Sequence, residues 1–235
     1  MNASSHTNIS AGPDTSVRTI ATVAHAYGDM VAKERLSTLG AIEHLELVHA
    51  EDASTYSFVA ALLEPESLAE ALYSLPQQWS GAMLDYEPDR LLGELSTLLA
   101  TILFNADEAR QEAIVRAVVA NQPAGALMLA LATLGVSFDE EPTVGTWEVD
   151  GADPDPTAWL GLRDVESYEA PEVPALLVRI LRRCDDELES VTEAVRALEN
   201  TRGSLSPTVL GLREVYFLLA VGEESRNEPL FDPIF

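Results

Sequence analysis

The residue types that carry most enzyme chemistry are scarce in this chain, so their spacing decides what they can do. Four histidines (His6, His25, His44 and His49) accompany a single cysteine, Cys184. Glu46-Leu47-Val48-His49 has Glu-x-x-His spacing, which on a helix sets a carboxylate and an imidazole on one face, as in carboxylate-bridged di-iron centres. Such a centre draws on a second Glu-x-x-His and two further carboxylates, and the sequence has no second copy. His25 and Asp29, four residues apart, match an ordinary hydrogen-bonded pair on a helix face. Asp150, Asp153 and Asp155 flank Gly151, yet no glutamate closes a twelve-residue calcium loop; a solvated acidic loop is the better account. Gly-x-Ser-x-Gly, Gly-x-x-x-x-Gly-Lys and Gly-x-Gly-x-x-Gly are all missing, which removes the usual signatures of nucleophilic and phosphate-binding sites. The expectation is a protein that is not an enzyme, with no metal, no cofactor and no evident small-molecule ligand.

One short segment resembles a family. Glu87-Pro88-Asp89-Arg90-Leu91, followed by Glu94-Leu95, is similar to the Pro-Asp-His-Leu segment of the cytoplasmic chaperones that hold molybdoenzymes before export. Arg90 stands where that family has histidine, the match spans fewer than ten residues, and the family's other segments are not found. The resemblance implies an all-helical chain of about this size, and no site residue is carried over from it.

The elements that must position these residues read as helices. Residues 1–14 are rich in Ser, Asn, Thr, Gly and Pro and form a flexible arm. Asp14 or Thr15 caps a helix running to about residue 39, with Val17, Ile20, Ala24, Tyr27 and Val31 along one face and Gly40 as its stop. Residues 41–50 fit a helix turn or a strand. Residues 58–75 are helical, with Pro65 at a first turn or as a break, and Pro76 closes them. Three short helices follow: 89–104 behind Pro88, 106–120 capped by Asn105, and an apolar one from Pro123 to Gly135 that should be the most buried. Residues 15–135 thus form a helical bundle. The stretch 136–172 is acidic and rich in Pro and Gly, with Thr146–Val149 as one short strand, and a domain boundary is placed inside it.

After Pro174 the residues Leu177, Leu181, Cys184, Leu188, Val191, Val195 and Leu198 are spaced 4, 3, 4, 3, 4 and 3. This is a heptad seam, expected on one helix from about 173 to 201. Ser206 and Pro207 start another helix to about 221, and the two make an αα-hairpin over 173–222. Two readings stay open: a seam packed within its own chain, or an intermolecular coiled coil. Cys184 faces the seam in both, as a small buried hydrophobe. The tail, 223–235, ends in Leu230, Phe231, Ile234 and Phe235, which dock either on the chain itself or in a partner groove.

Charge supplies the remaining limits. The chain carries 39 Asp and Glu against 14 Lys and Arg, a formal net charge of −25, and Lys33 is its one lysine. Phosphates would be repelled on approach, so neither nucleic acid nor an anionic membrane is an expected partner. Carboxylates without lysine match a surface built for molar salt, hence a halophilic microbe or its virus. Hydrophobic residues make up 47% of the chain, so the acidity overlies a globular composition rather than a disordered one. The first residues contain no readable signal peptide, and the longest apolar run is shorter than the roughly 20 residues a bilayer needs. The expected location is cytoplasmic, or within a viral particle or other assembly.

The resulting fold class is all-α: an N-terminal helical bundle, an acidic connection, and a C-terminal αα-hairpin with an apolar docking tail. The expected function is a non-enzymatic protein–protein interaction or assembly subunit. It would bind a protein partner or its own copies through the partner-binding residues Leu177, Leu181, Leu188, Val191, Val195, Leu198, Leu230, Phe231, Ile234 and Phe235. Two alternatives are a helical chaperone or adaptor that cradles a client peptide, and an acidic mimic of DNA.

Overall fold

A computed structural model describes residues 17–50, 58–104, 106–120, 123–134, 138, 172–201, 203 and 205–221. Twelve α-helices run through them: α1 (Val17–Tyr27), α2 (Asp29–Leu36), α3 (Ala41–His49), α4 (Phe58–Leu62), α5 (Pro65–Ser74), α6 (Gly81–Tyr86), α7 (Pro88–Leu103), α8 (Glu108–Ala120), α9 (Ala124–Thr133), α10 (Glu172–Leu181), α11 (Asp185–Glu199) and α12 (Pro207–Tyr216). A 3₁₀ turn (Leu75–Gln78) follows α5, and a π turn (Phe217–Val221) follows α12. No strand occurs among the described residues. The arm 1–14, residues 146–149, the tail 223–235 and most of 136–172 lie outside them.

Helix α9 is the axis of the core. Its sequence is apolar all round, so it is stable only when every face is covered, and nine of its ten residues are buried. Helices α7, α8, α10, α11 and α12 pack around it. Helix α5 leans on α8, α3 packs on α5 and α7, and α1, α2 and α4 form the outer N-terminal layer. One continuous cluster of buried side chains extends from Ile20 to Val215.

Two glycines permit the closest approaches around this axis. A Cβ on Gly125 would lie 1.7 Å from the backbone oxygen of Val118, so α8 and α9 touch backbone to backbone there. A Cβ on Gly211 would meet Leu131 at 2.6 Å and Leu198 at 3.0 Å, where α12 crosses α9 and α11.

Several helix starts follow from local sequence. Pro65, Pro88 and Pro207 each sit in a first turn, where a missing N–H costs nothing. The Ser206 hydroxyl accepts from the Val209 N–H at 3.3 Å. The last carbonyls of a helix have no intrahelical donor, and here distant side chains supply one. His44 Nε2 donates to Leu36 O at the end of α2 (2.9 Å), which leaves Nε2 as the protonated ring nitrogen. Arg110 reaches Ala60 O (2.9 Å) and Leu63 O at the end of α4. Tyr73 donates to Ala117 O (3.0 Å) and Val118 O at the end of α8.

The structure corrects four expectations. The helix expected to reach residue 39 is two helices, because Gly28 adopts φ +89°, a left-handed region that favours glycine. Tyr27 and Val31, assigned to its core face, are 73% and 41% exposed at that bend. Gly40 does not end this helix; it precedes α3, and its N–H donates to the Glu43 carboxylate at 2.6 Å. The helix expected from 106 starts at Glu108, behind Asp107, whose Oδ1 accepts from the Arg110 N–H at 2.8 Å; Asn105 lies outside the described residues.

The fourth correction concerns the seam. The helix expected over 173–201 breaks at Arg182–Cys184 into α10 and α11. Charge explains the break. Arg179, Arg182 and Arg183 gather at the C-terminal end of α10, while Asp185, Asp186 and Glu187 fill the first turn of α11, and each group matches the dipole of its own helix end. Arg182 then donates to Phe138 O at 2.8 and 3.2 Å. Arg183 pairs with Glu112 at 2.9 Å and Gln111 at 3.3 Å on α8.

Candidate functional site

The structure disperses the residues singled out for chemistry. Leu177, Leu181 and Val191 are fully buried, Val195 and Leu198 nearly so, and Leu188 is half-buried against the same core. The seam therefore faces α8 and α9 of its own chain. Leu230, Phe231, Ile234 and Phe235 lie outside the described residues. His25 and Asp29 fall on separate helices across the Gly28 bend. Cys184 is buried between Arg183 and the acidic first turn of α11. Burial pushes its thiol pKa up, opposed in part by the Arg116 guanidinium. Among the described residues, no group of three or more His, Cys, Asp or Glu is placed to hold a metal ion. No helix there is long and apolar enough to cross a membrane.

What the fold does build is a surface cleft between α3 and α7, of about 440 Å³. That lies within the range of roughly 300–1,000 Å³ typical of ligand clefts. One face of α7 forms its long wall: Arg90, Gly93, Glu94, Thr97, Leu98 and Thr101. The steps of 3, 1, 3, 1 and 3 keep all six on one side of a helix. Val48 and His49, in the last turn of α3, close the opposite side. Val48, Leu98 and Thr101 lie buried beneath the groove, so its exposed lining is His49, Arg90, Gly93 and Thr97, with Glu94 half-buried. Thr101 donates to Thr97 O at 3.0 Å, so its hydroxyl is engaged within α7. Gly93 leaves the middle of the wall open, since a Cβ there would meet nothing within 4 Å.

The rim is ionic. Arg90 donates to Glu87 at 2.6 Å and to Glu94 at 3.1 Å, with its side chain 60% exposed. Hydrogen bonding and charge from Glu87, then from Glu94, hold the Arg90 pKa above its ordinary value. Of this trio, Arg90 and Glu94 line the cleft. A second, smaller cleft of about 350 Å³ flanks the other side of α3 and includes Glu43, Glu46 and Leu47. The Glu-x-x-His pair is thereby split: Glu46 faces one groove and His49 the other.

The sequence reading missed the α3–α7 cleft, although a signal was present. Along leucine-rich α7, the residues at positions 90, 93, 94, 97 and 101 are small or polar at helical spacing. Such a stripe on one side of a helix otherwise packed into a core marks a surface that stays open.

The fold and this cleft define an all-α protein with an open, side-chain-lined groove on its surface. No protein-family model matches the chain, and no curated protein or solved structure matches it either.

Proposed function

We propose that this chain is a non-enzymatic helical chaperone or adaptor that receives a short segment of a protein partner in the cleft between α3 and α7. The cleft carries the reading: an unobstructed wall at Gly93 and an exposed polar lining of His49, Arg90 and Thr97 give an open groove that a segment can enter. The buried seam supports it indirectly, because Leu177, Leu181 and Val191 are engaged inside the chain. The acidic surface is then an adaptation to a salt-rich host or its virus rather than the binding device.

A photo-crosslinking side chain at Thr97 tests the proposal in the full chain. The expected result is a crosslink to one contiguous partner segment that disappears when Gly93→Leu fills the groove. Crosslinks unaffected by Gly93→Leu, or confined to the chain's own peptides, would overturn it.

A second reading, self-assembly, rests on a separate observation. Tyr27, Met30 and Val31 are 73%, 84% and 41% exposed on either side of the Gly28 bend, an apolar grouping of the kind that marks contact surfaces. Light scattering across a concentration series, repeated with Met30→Glu, separates it from the first. A mass that rises with concentration in the parent chain and stays monomeric in the variant would favour assembly.

A further inference from the structure

We infer that the α1–α2 corner is a two-fold dimer contact, in which Tyr27, Met30 and Val31 meet their counterparts in a second copy of the chain, and that salt controls it. The inference rests on the self-assembly reading and names its partner, geometry and regulation. Tyr27, Met30 and Val31 are 73%, 84% and 41% exposed, and they form one projecting apolar surface around the Gly28 bend. Acidity singles out the same place. Residues 17–33 hold Arg18 and Lys33 against Asp29 alone, a local net charge of +1 in a chain of −25. Among the described helices, α1, α4 and α9 alone lack Asp and Glu. Helices α4 and α9 are mostly buried, whereas α1 exposes Arg18, Ala21, Thr22, His25 and Ala26. That spacing keeps the five on one side of the helix, leading to the apolar corner.

Charge indicates what covers this surface. A stretch free of carboxylates matters most where the facing molecule is itself acidic, and a second copy is such a molecule. Two bodies of −25 each approach with least repulsion corner to corner. The corner has little to offer an oppositely charged partner, since Lys33 is already paired with Glu64 at 3.2 Å. A patch without strong charge that is apolar on both copies is self-complementary, as a two-fold contact requires. Helices of 11 and 8 residues extend only about 16 and 12 Å. A face of that size falls short of the roughly 800 Å² per partner of a standard interface, so the dimer is weak and reversible. Its strength is then set by repulsion between the two bodies, which salt screens.

Sedimentation velocity of the full chain over a concentration series tests the contact, in KCl from about 0.1 M to about 1 M, where the Debye length falls from about 10 Å to about 3 Å. The dimer dissociation constant should fall by about 10-fold or more across that range. Met30→Glu, checked for folding by circular dichroism, should stay monomeric throughout. Because Cys184 is buried, Met30→Cys has one accessible thiol, and a short bis-maleimide should join two copies of it faster at the higher salt. Tyr86→Cys, at a residue also 84% exposed but on α6, should link slowly at either salt. Three results would overturn the two-fold contact and leave self-assembly through another surface standing: association that weakens with KCl, masses beyond the dimer, or Tyr86→Cys linking as fast as Met30→Cys. A monomer at every concentration and salt would remove the self-assembly reading, and this inference with it.

Discussion

Single residues in this fold can be read by what surrounds the missing or buried atom. Gly93 and Gly125 both sit within helices, yet their environments predict opposite responses to alanine. At Gly125 the new methyl carbon would press on the Val118 carbonyl at 1.7 Å, and backbone cannot swing aside as a side-chain tip can. Gly125→Ala should lose about 3 kcal/mol or more, at or beyond the upper end of ordinary overpacking. At Gly93 the methyl meets nothing within 4 Å, so Gly93→Ala should gain about 0.5–1 kcal/mol from lower backbone entropy in the unfolded chain. Urea denaturation of both variants, with unchanged slopes, measures the contrast; similar losses at the two sites would contradict it. Cys184 gives a residue-scale prediction in pH. Burial raises its thiol pKa in the folded chain, so the folded state holds that proton more tightly than the unfolded state does. This contribution to stability is complete below the ordinary thiol value and is lost as pH rises through the folded one. Cys184→Ala should accordingly flatten the alkaline limb of a stability–pH curve, and the parent thiol should react with maleimide only as fast as the chain opens.

At the scale of elements, helix ends are held by side chains from elsewhere in the chain. Arg110 of α8 closes α4 through Ala60 O and Leu63 O, and Tyr73 of α5 closes α8 through Ala117 O and Val118 O. Removing one such donor strands a buried carbonyl, a loss of about 1–3 kcal/mol. Tyr73→Phe should therefore destabilise the chain by that amount and speed amide hydrogen exchange in α8 and α9 before it affects α1 and α2; uniform acceleration across all helices would count against a local capping role. These tethers also explain which parts of the fold were legible in the sequence. The starts of α7 and α12 could be read because Pro at a first turn and Ser at a cap act locally, whereas Pro65 left a first turn and a break equally open. The burial of α9 could be read because an all-apolar helix has one stable environment. The break inside the seam could not be read from its 4-3 spacing, since that spacing reports which side chains face the core and not whether the backbone ladder is continuous. The run from Arg179 to Glu187, basic and then acidic, held the missing information. The cleft was illegible for another reason: one wall comes from α3 and the other from α7, and only tertiary packing brings them together.

For the whole molecule, the question is how −25 charges are accommodated on a compact fold. Many of the few cations are already committed. Arg183 and Arg116 share Glu112, Arg116 also approaches Glu187 at 3.9 Å, Arg213 ties α12 to Asp85 after the start of α6, and Lys33 joins Glu64 at 3.2 Å. Arg110 and Arg182 are engaged by backbone carbonyls. Most of these contacts join one helix to another, and the surplus carboxylates remain to repel across the surface. Two salt effects then oppose each other. Screening weakens the exposed ion pairs, each worth at most about 1 kcal/mol, and it also relieves a repulsion spread over the entire surface. With 39 acids against 14 bases the second effect should win, so the denaturation midpoint should rise as KCl goes from dilute to molar. The shape of the curve identifies the cause. The Debye length falls from about 10 Å at 0.1 M to about 3 Å at 1 M, so stabilisation by screening should level off near the upper concentration. Stabilisation by exclusion of solute from the surface keeps increasing with concentration and is reproduced by sucrose. A midpoint that climbs steeply and then flattens in KCl, with a shallow and steady response to sucrose, is the expected result. A midpoint that stays level or falls with KCl would mean that the acids are compensated within the fold, and the reading of this surface as an adaptation to high salt would then be wrong.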